Sequence, residues 1–184
     1  ESAVITSFHL EPVNPQDWRD FQPGQFLVFR IPVAREAAGE SGYALRNYSV
    51  SCSPDSTRYR ISVKREAAPA PGLPDGAGSC FLHDRIEVGD VLQAEGPRGD
   101  FVLDKGSDRP VVLLSGGVGL TPMVSMLHAL ASIPDRRAVF IHACENGGVH
   151  ALRDEVTGLV TTRPGLTAHY CYRFPSERDK AEQR

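Results

Sequence analysis

The chain has 184 residues and a net charge of −3, with 41% hydrophobic and 23% charged residues, which is the balance of a globular protein with one large or two small domains. That balance argues against a general nucleic-acid binder, and the longest apolar runs, such as VVLL at 111–114, are far too short to cross a bilayer. Position 1 is Glu with no charged-then-apolar leader after it, so the expectation is a piece of a longer protein without a signal peptide.

Residues 1–104 read as short β segments: AVITSFHLEPV (3–13), GQFLVFRIPV (24–33), RNYSVSCSP (46–54), YRISVKRE (59–66) and DVLQAEGPRGDFVLD (90–104). Asn14-Pro15, Pro23-Gly24, Pro54-Asp55 and Gly89-Asp90 punctuate them as turns, the grammar of a small antiparallel barrel. In ALRNYSVS (44–51), side chains alternate at period two, so Ala44, Arg46 and Tyr48 share one face. A core would not choose Arg there, and solvent gains little from Tyr. A flat, polar, anionic ligand suits that face. Arg58, Arg60, Lys64 and Arg65 read on their own as an exposed, solvated strand, and beside a pyrophosphate as a useful positive field.

The stretch 67–78, AAPAPGLPDGAG, is an irregular loop, and SCFLHDRI (79–86) suits a short helix with Ser79 at its start. Gly76, Gly78 and Ser79 at that start make either an anion nest or a flexible loop ending at an ordinary cap. The polar run 104–110 marks the domain boundary.

From Arg109 the grammar changes. PVVLLSG (110–116) is a continuous apolar strand of the kind buried in a parallel sheet. Thr121 is placed to cap the next helix, Pro122 fits its first turn, and Met123, Met126, Leu127 and Leu130 form one stripe. AVFIHAC (138–144) as strand, VHALRDEVTGLV (149–160) as helix and LTAHYCYRF (166–174) as strand complete βαβαβ, half of a doubly wound sheet. PSERDKAEQR (175–184) reads as a mobile tail. Gly116, Gly117 and Gly119, between strand and helix, let the backbone approach a phosphate, although GGxGxTP is not the common GxGxxG spacing.

The cysteines at 52, 80, 144 and 171 form no CxxC pair and the six histidines no ligand spacing, so no metal is expected. Cys144 and Cys171 are expected as small core residues. Free thiols point to the cytoplasm.

Taken together, Arg46-Asn47-Tyr48-Ser49, ISVKRE, GAGS, GPRGDF (96–101), GGVGLTP and NGGVHALRDEV (146–156) resemble the ferredoxin–NADP reductase-like flavoprotein reductases. The closest likeness is to the reductase portion of flavohemoglobins and related FAD-binding oxidoreductases. The resemblance runs over residues 5–178. It implies a six-stranded antiparallel FAD-binding barrel over 1–106, followed by a partial, truncated NAD(P)-binding doubly wound parallel domain over 107–184.

Residue by residue, it implies that Arg46 meets the flavin phosphates, Tyr48 stacks on the isoalloxazine and Ser49 bonds near its reactive nitrogen. Tyr48 and Ser49 are thereby the catalytic pair, and Asn47 belongs to the same strand motif. Ser49 nominally faces away from Tyr48, so its role needs a local twist or bulge. Val63, Lys64 and Arg65 would lie near the flavin, and Gly76, Gly78 and Ser79 at its phosphates. Gly116, Gly117, Gly119, Thr121 and Pro122 would hold the pyrophosphate of NADH or NADPH. The family's later Cys-Gly-Pro strand and C-terminal aromatic segment are not found in this sequence. Tyr172-Arg173 half matches the Ser-Arg of NADPH users, whereas Glu145 leans toward NADH.

The expected activity is hydride transfer from NAD(P)H to FAD, with electrons passed on to a haem, iron–sulfur or other acceptor. No nucleic acid or membrane partner is expected. The alternatives are the reductase component of an oxygenase, or a flavin-binding electron-transfer or sensor module without turnover.

Overall fold

The structure is a computed structural model that describes residues 1–35 and 40–182. In its antiparallel part, β1 (Ile5–Leu10) pairs with β4 (Tyr59–Lys64). A second sheet centres on β2 (Phe26–Arg35), flanked by β3 (Glu40–Ser49) and β5 (Gln93–Arg98). The two sheets are joined where the chain leaves β3: Val50 bridges Ile61 of β4 one residue past Ser49. Leu27, Phe29 and Ile31 alternate along β2 onto one face and meet Val50, Ile61, Val63 and Leu82 in a common core. Burial of such a side chain contributes about 1.5–3 kcal/mol.

Among the described residues this part is a two-stranded and a three-stranded sheet, where six strands were expected. The stretch 101–103 does not extend the ladder. β5 ends at Arg98, Gly99 with a φ of 109° turns the chain, and Leu103 N–H then donates to Pro23 O at 3.1 Å. Gly24 receives this return so closely that any side chain there would collide with the Phe101 carbonyl.

α1 (Ala77–Arg85) closes the barrel with Leu82. Its cap is Gly76, in extended backbone, and Ser79 is its third residue, not its start. The Ser79 hydroxyl donates to Gly76 O and accepts from Glu66 N–H, both at 3.1 Å, so it fastens the ends of the 66–76 loop together.

The parallel part orders β6 (Val111–Gly116), β7 (Ala138–Cys144) and β8 (Leu166–Tyr172) with β7 central. α2 (Leu120–Ala131) and α3 (Arg153–Thr162) pack on one face, where Leu113, Leu120, Val124, Leu127, Leu130 and Phe140 are buried. Met126 is buried too, whereas Met123 is only partly so. α3 begins later than expected because 147–149 forms a separate 3-10 turn and Leu152 takes a left-handed φ of 57°.

Two expectations fail for one reason. Val112 and Leu114 are exposed, although the apolar run read as buried on both sides, and Cys171 is exposed, not core. All three lie on the sheet face opposite α2 and α3, where no helix of the described residues packs. Cys144 is partly buried.

The expected mobile tail is ordered as far as residue 182. α4 (Glu177–Glu182) is held by the buried Asp179, which accepts from Ser176 N–H and Oγ–H at 2.8 Å and from Gly147 N–H at 3.2 Å. Residues 183–184 of that tail lie outside the described residues. Among the described residues, no helix is long and apolar enough to cross a membrane, and no His/Cys/Asp/Glu cluster is fit for a metal.

Candidate functional site

The pairing of β3 with β2 is unbroken from Phe26↔Ser49 to Arg35↔Glu40, so Arg46 and Tyr48 do share one face. Tyr48 is half-buried, its ring edge-on to Phe29 at 5.7 Å. Burial pushes its hydroxyl pKa up against a smaller downward pull from Arg46, so the phenol stays protonated and able to donate at neutral pH. Arg46 is exposed; its Nη1 donates to the Leu45 carbonyl of its own strand at 2.9 Å, and among the described residues no carboxylate pairs with it.

Gly78 in the first turn of α1 meets both residues. A Cβ there would sit 2.8 Å from Arg46 Cγ and 3.2 Å from Tyr48 Oη. The β3 face and the α1 N-terminus, with its partial positive charge, thus form one cradle. A flavin fits its chemistry: an aromatic face, a guanidinium and open backbone at one corner. Gly78→Ala is expected to push Arg46 and Tyr48 aside and weaken FAD binding about tenfold, read by flavin titration, with the melting temperature shifted by only a few degrees.

The other expected residues are placed unevenly. Asn47 is exposed, and Ser49 is partly buried at the point where the chain switches sheets. No bulge interrupts β3 there; the switch itself is the local irregularity at Ser49. Val63 is buried, and its carbonyl lies 2.8 Å from His83 Nε2. Lys64 pairs with Glu66 at 3.1 Å, and Arg65 with Asp84 of α1 at 2.8 Å. With Arg58 beside Glu11 at 3.4 Å and Arg60 beside Glu155 at 2.7 Å, all four charges read as a field for an anion have carboxylate partners.

At the other end, β6 runs into a 3-10 turn at Gly117–Gly119. Gly117 has a φ of 51°, and nothing lies within 4 Å of where its Cβ or that of Gly119 would be, so the turn presents open backbone. Gly116 would come no closer than 3.9 Å to the Ala143 carbonyl. The cap of α2 is Gly119, not Thr121. Thr121 is the helix's second residue, buried, donating to Val118 O at 3.2 Å, and Pro122 is the third. Glu145 and Arg173, read from the sequence as leaning toward NADH and half matching NADPH users, face each other at 3.8 Å. A cavity of about 600 Å³ beside α3 and α4 touches neither the cradle nor the glycine turn.

Residues 2–103 match the oxidoreductase FAD-binding domain, and residues 113–184 match the oxidoreductase NAD-binding domain. The chain belongs to the FAD-binding oxidoreductases. Like this chain, the FAD/NAD-binding domain of a nitric oxide dioxygenase from Vibrio cholerae has the two-part fold, with a TM-score of 0.84 and 36% identity over 97% of this chain and 72% of that one. Phthalate dioxygenase reductase is also similar, with a TM-score of 0.73 and 26% identity over 96% of this chain and 50% of the other. Flavohemoproteins from Bacillus cereus and Bordetella pertussis are 43% and 47% identical, over 97% and 90% of this chain. The chain spans only 43% and 40% of their lengths.

In this FAD-binding oxidoreductase, sequence reasoning missed the polar groups where its two halves meet. Arg60, taken for a solvated charge, is buried; its Nη1 and Nη2 donate to both Glu155 carboxylate oxygens at 2.7 and 2.9 Å. His128 of α2 meets the same carboxylate. Burial alone would raise the Glu155 pKa, yet the hydrogen bonds from His128 and Arg60 bring it down to about 2. His142 and His150 also escaped notice; both are buried, with ring centroids 4.6 Å apart, and His150 is held down to about 4 chiefly by burial. Nothing in the spacing of 60, 128 and 155 signals a meeting.

Proposed function

We propose that this chain is the reductase unit of a flavoprotein that takes hydride from NADH or NADPH onto FAD and hands electrons to a haem-containing acceptor. The observation that carries this reading is the convergence of Arg46, Tyr48 and Gly78 at one corner, with an open glycine turn in the neighbouring parallel part. The bound flavin supplies hydride acceptance and one-electron release. The chain's own groups supply binding and orientation. Arg46 pairs with the pyrophosphate, joined by the N-terminal amides of α1 after Gly76, while Ser79 keeps the 66–76 loop folded against that corner. Tyr48 lies along the ring, with Asn47 and Ser49 bonding at its polar edge. Val63 and Lys64 contribute strand backbone beside it, and Arg65 acts through Asp84 by steadying α1. The turn at Gly116, Gly117 and Gly119 receives the nicotinamide cofactor's pyrophosphate, and Thr121 and Pro122 hold the first turn of α2 beneath it.

The haem acceptor is favoured because the relatives at 42–47% identity are named flavohemoproteins. An iron–sulfur acceptor, as in phthalate dioxygenase reductase with its electron transfer from pyridine nucleotides to a 2Fe–2S centre, is the second reading. A cytoplasmic setting suits four cysteines of which none is bridged. Mixing the FAD-loaded chain with NADH or NADPH and following visible flavin absorbance tests the proposal. Rapid bleaching is expected; a yellow protein unmoved by both nucleotides would leave a binding module without turnover.

A further inference from the structure

We propose that Arg60, Glu155 and His128 are positioning residues that set the flavin strand and the nicotinamide turn in register for hydride transfer. This inference rests on the reductase reading above.

β4 is unusual in being buried on both faces. Ile61 and Val63 fill the barrel core, while Arg60 and Ser62 face the other way, toward the parallel part. That second face carries one unbroken polar seam. Ser7 bonds Ser62 at 2.7 Å, Ser62 bonds Ser51 at 2.9 Å, and Arg60 Nε donates to Ser51 Oγ at 3.0 Å. Arg60 Nη2 also donates to the Ser51 carbonyl. The guanidinium then forks onto Glu155 of α3, and that carboxylate holds His128 of α2.

The seam ties together the elements that carry the chemistry. Ser51 is two residues beyond Ser49, on the segment that continues from Tyr48 as it crosses between sheets. β4, which carries Arg60, packs against the Gly117–Gly119 turn, and His128 lies in the last turn of α2, the helix that starts directly after that turn. A bidentate guanidinium–carboxylate pair has little angular freedom, so it fixes orientation as well as distance. A shift of about 1 Å between reacting partners can cost up to about a hundredfold in rate. The seam therefore acts on where the two cofactors lie relative to one another, without touching either.

The test compares wild type with Arg60→Lys, which keeps the charge but loses the fork, and with His128→Leu, which removes one bond and spares the buried pair. In FAD-loaded chains, bleaching by saturating NADH is expected to slow about tenfold in Arg60→Lys and severalfold in His128→Leu. Flavin affinity, the half-saturating NADH concentration and the rate of bleaching by dithionite should stay within about twofold. In the flavin-free chains, amide hydrogen exchange at Ser51 and across 117–120 is expected to quicken together, while Phe140 and Ile31 keep their protection. Variants that bleach at the wild-type rate, or that change exchange at only one of those two segments, overturn the inference and leave the reductase reading standing. A wild-type chain that holds FAD yet ignores both nucleotides overturns the reading and the inference together.

Discussion

Replacing Arg46 with Ala is expected to raise the FAD dissociation constant about tenfold to a hundredfold while leaving the barrel folded. A charge-assisted hydrogen bond to a phosphate contributes about 1.5–3 kcal/mol, and each 1.4 kcal/mol is about a factor of ten. The fold should not register the change, because Arg46 is exposed and, among the described residues, bonds only its own strand's carbonyl. Titrating FAD by fluorescence quenching, with circular dichroism as the control, measures both quantities. An unchanged affinity would remove Arg46 from the site. Arg46→Lys should lie between the two, since an ammonium keeps the charge and loses the fork.

The second large effect concerns stability. Glu155→Gln is expected to destabilise the chain by about 3 kcal/mol at neutral pH, which is about 6–12 °C in melting temperature for a chain of this size. The folded pKa of Glu155 is about 2 against an ordinary 4.5, and its side chain is 25% exposed, so solvent screening is modest. Because folding depresses this pKa, the stabilisation is fully present above about pH 4.5 and disappears as pH falls from there toward 2. The gap between wild type and variant should therefore narrow over that window. Removing the carboxylate also leaves Arg60 buried without its partner, which adds to the loss. Thermal melts of both proteins at pH 7 and pH 3 decide the matter; a gap that holds constant between those pH values would show that Glu155 is not ionised through its bonds to Arg60 and His128.

The cradle was readable before the structure because its signals are local. Arg46 and Tyr48 lie two apart on a strand, and a strand's period places them together without reference to anything else. The same holds for the glycines after β6, where a turn must form between an apolar strand and a helix. Gly78 needed both levels. Its presence at a helix start was visible in the chain, but its approach to Arg46 and Tyr48 depends on how α1 crosses β3. Caps were misjudged at Ser79 and Thr121 for a shared reason. A glycine two or three residues earlier took the cap position, and each hydroxyl was drawn to a carbonyl of the preceding turn.

By itself the sequence determined the two-part grammar, the face shared by Arg46 and Tyr48, and the open glycine turn, since each follows from backbone periodicity or from a missing side chain over a few residues. Tertiary structure alone decided that Arg60 would be buried against Glu155 while Arg58 stayed in solvent, that Asp179 would hold the last helix, and that Cys171, Val112 and Leu114 would face outward. Such outcomes turn on which element lies across from a residue. Partners tens of residues away in the chain leave no trace in local spacing, and burial or charge pairing exists only once the two surfaces have met.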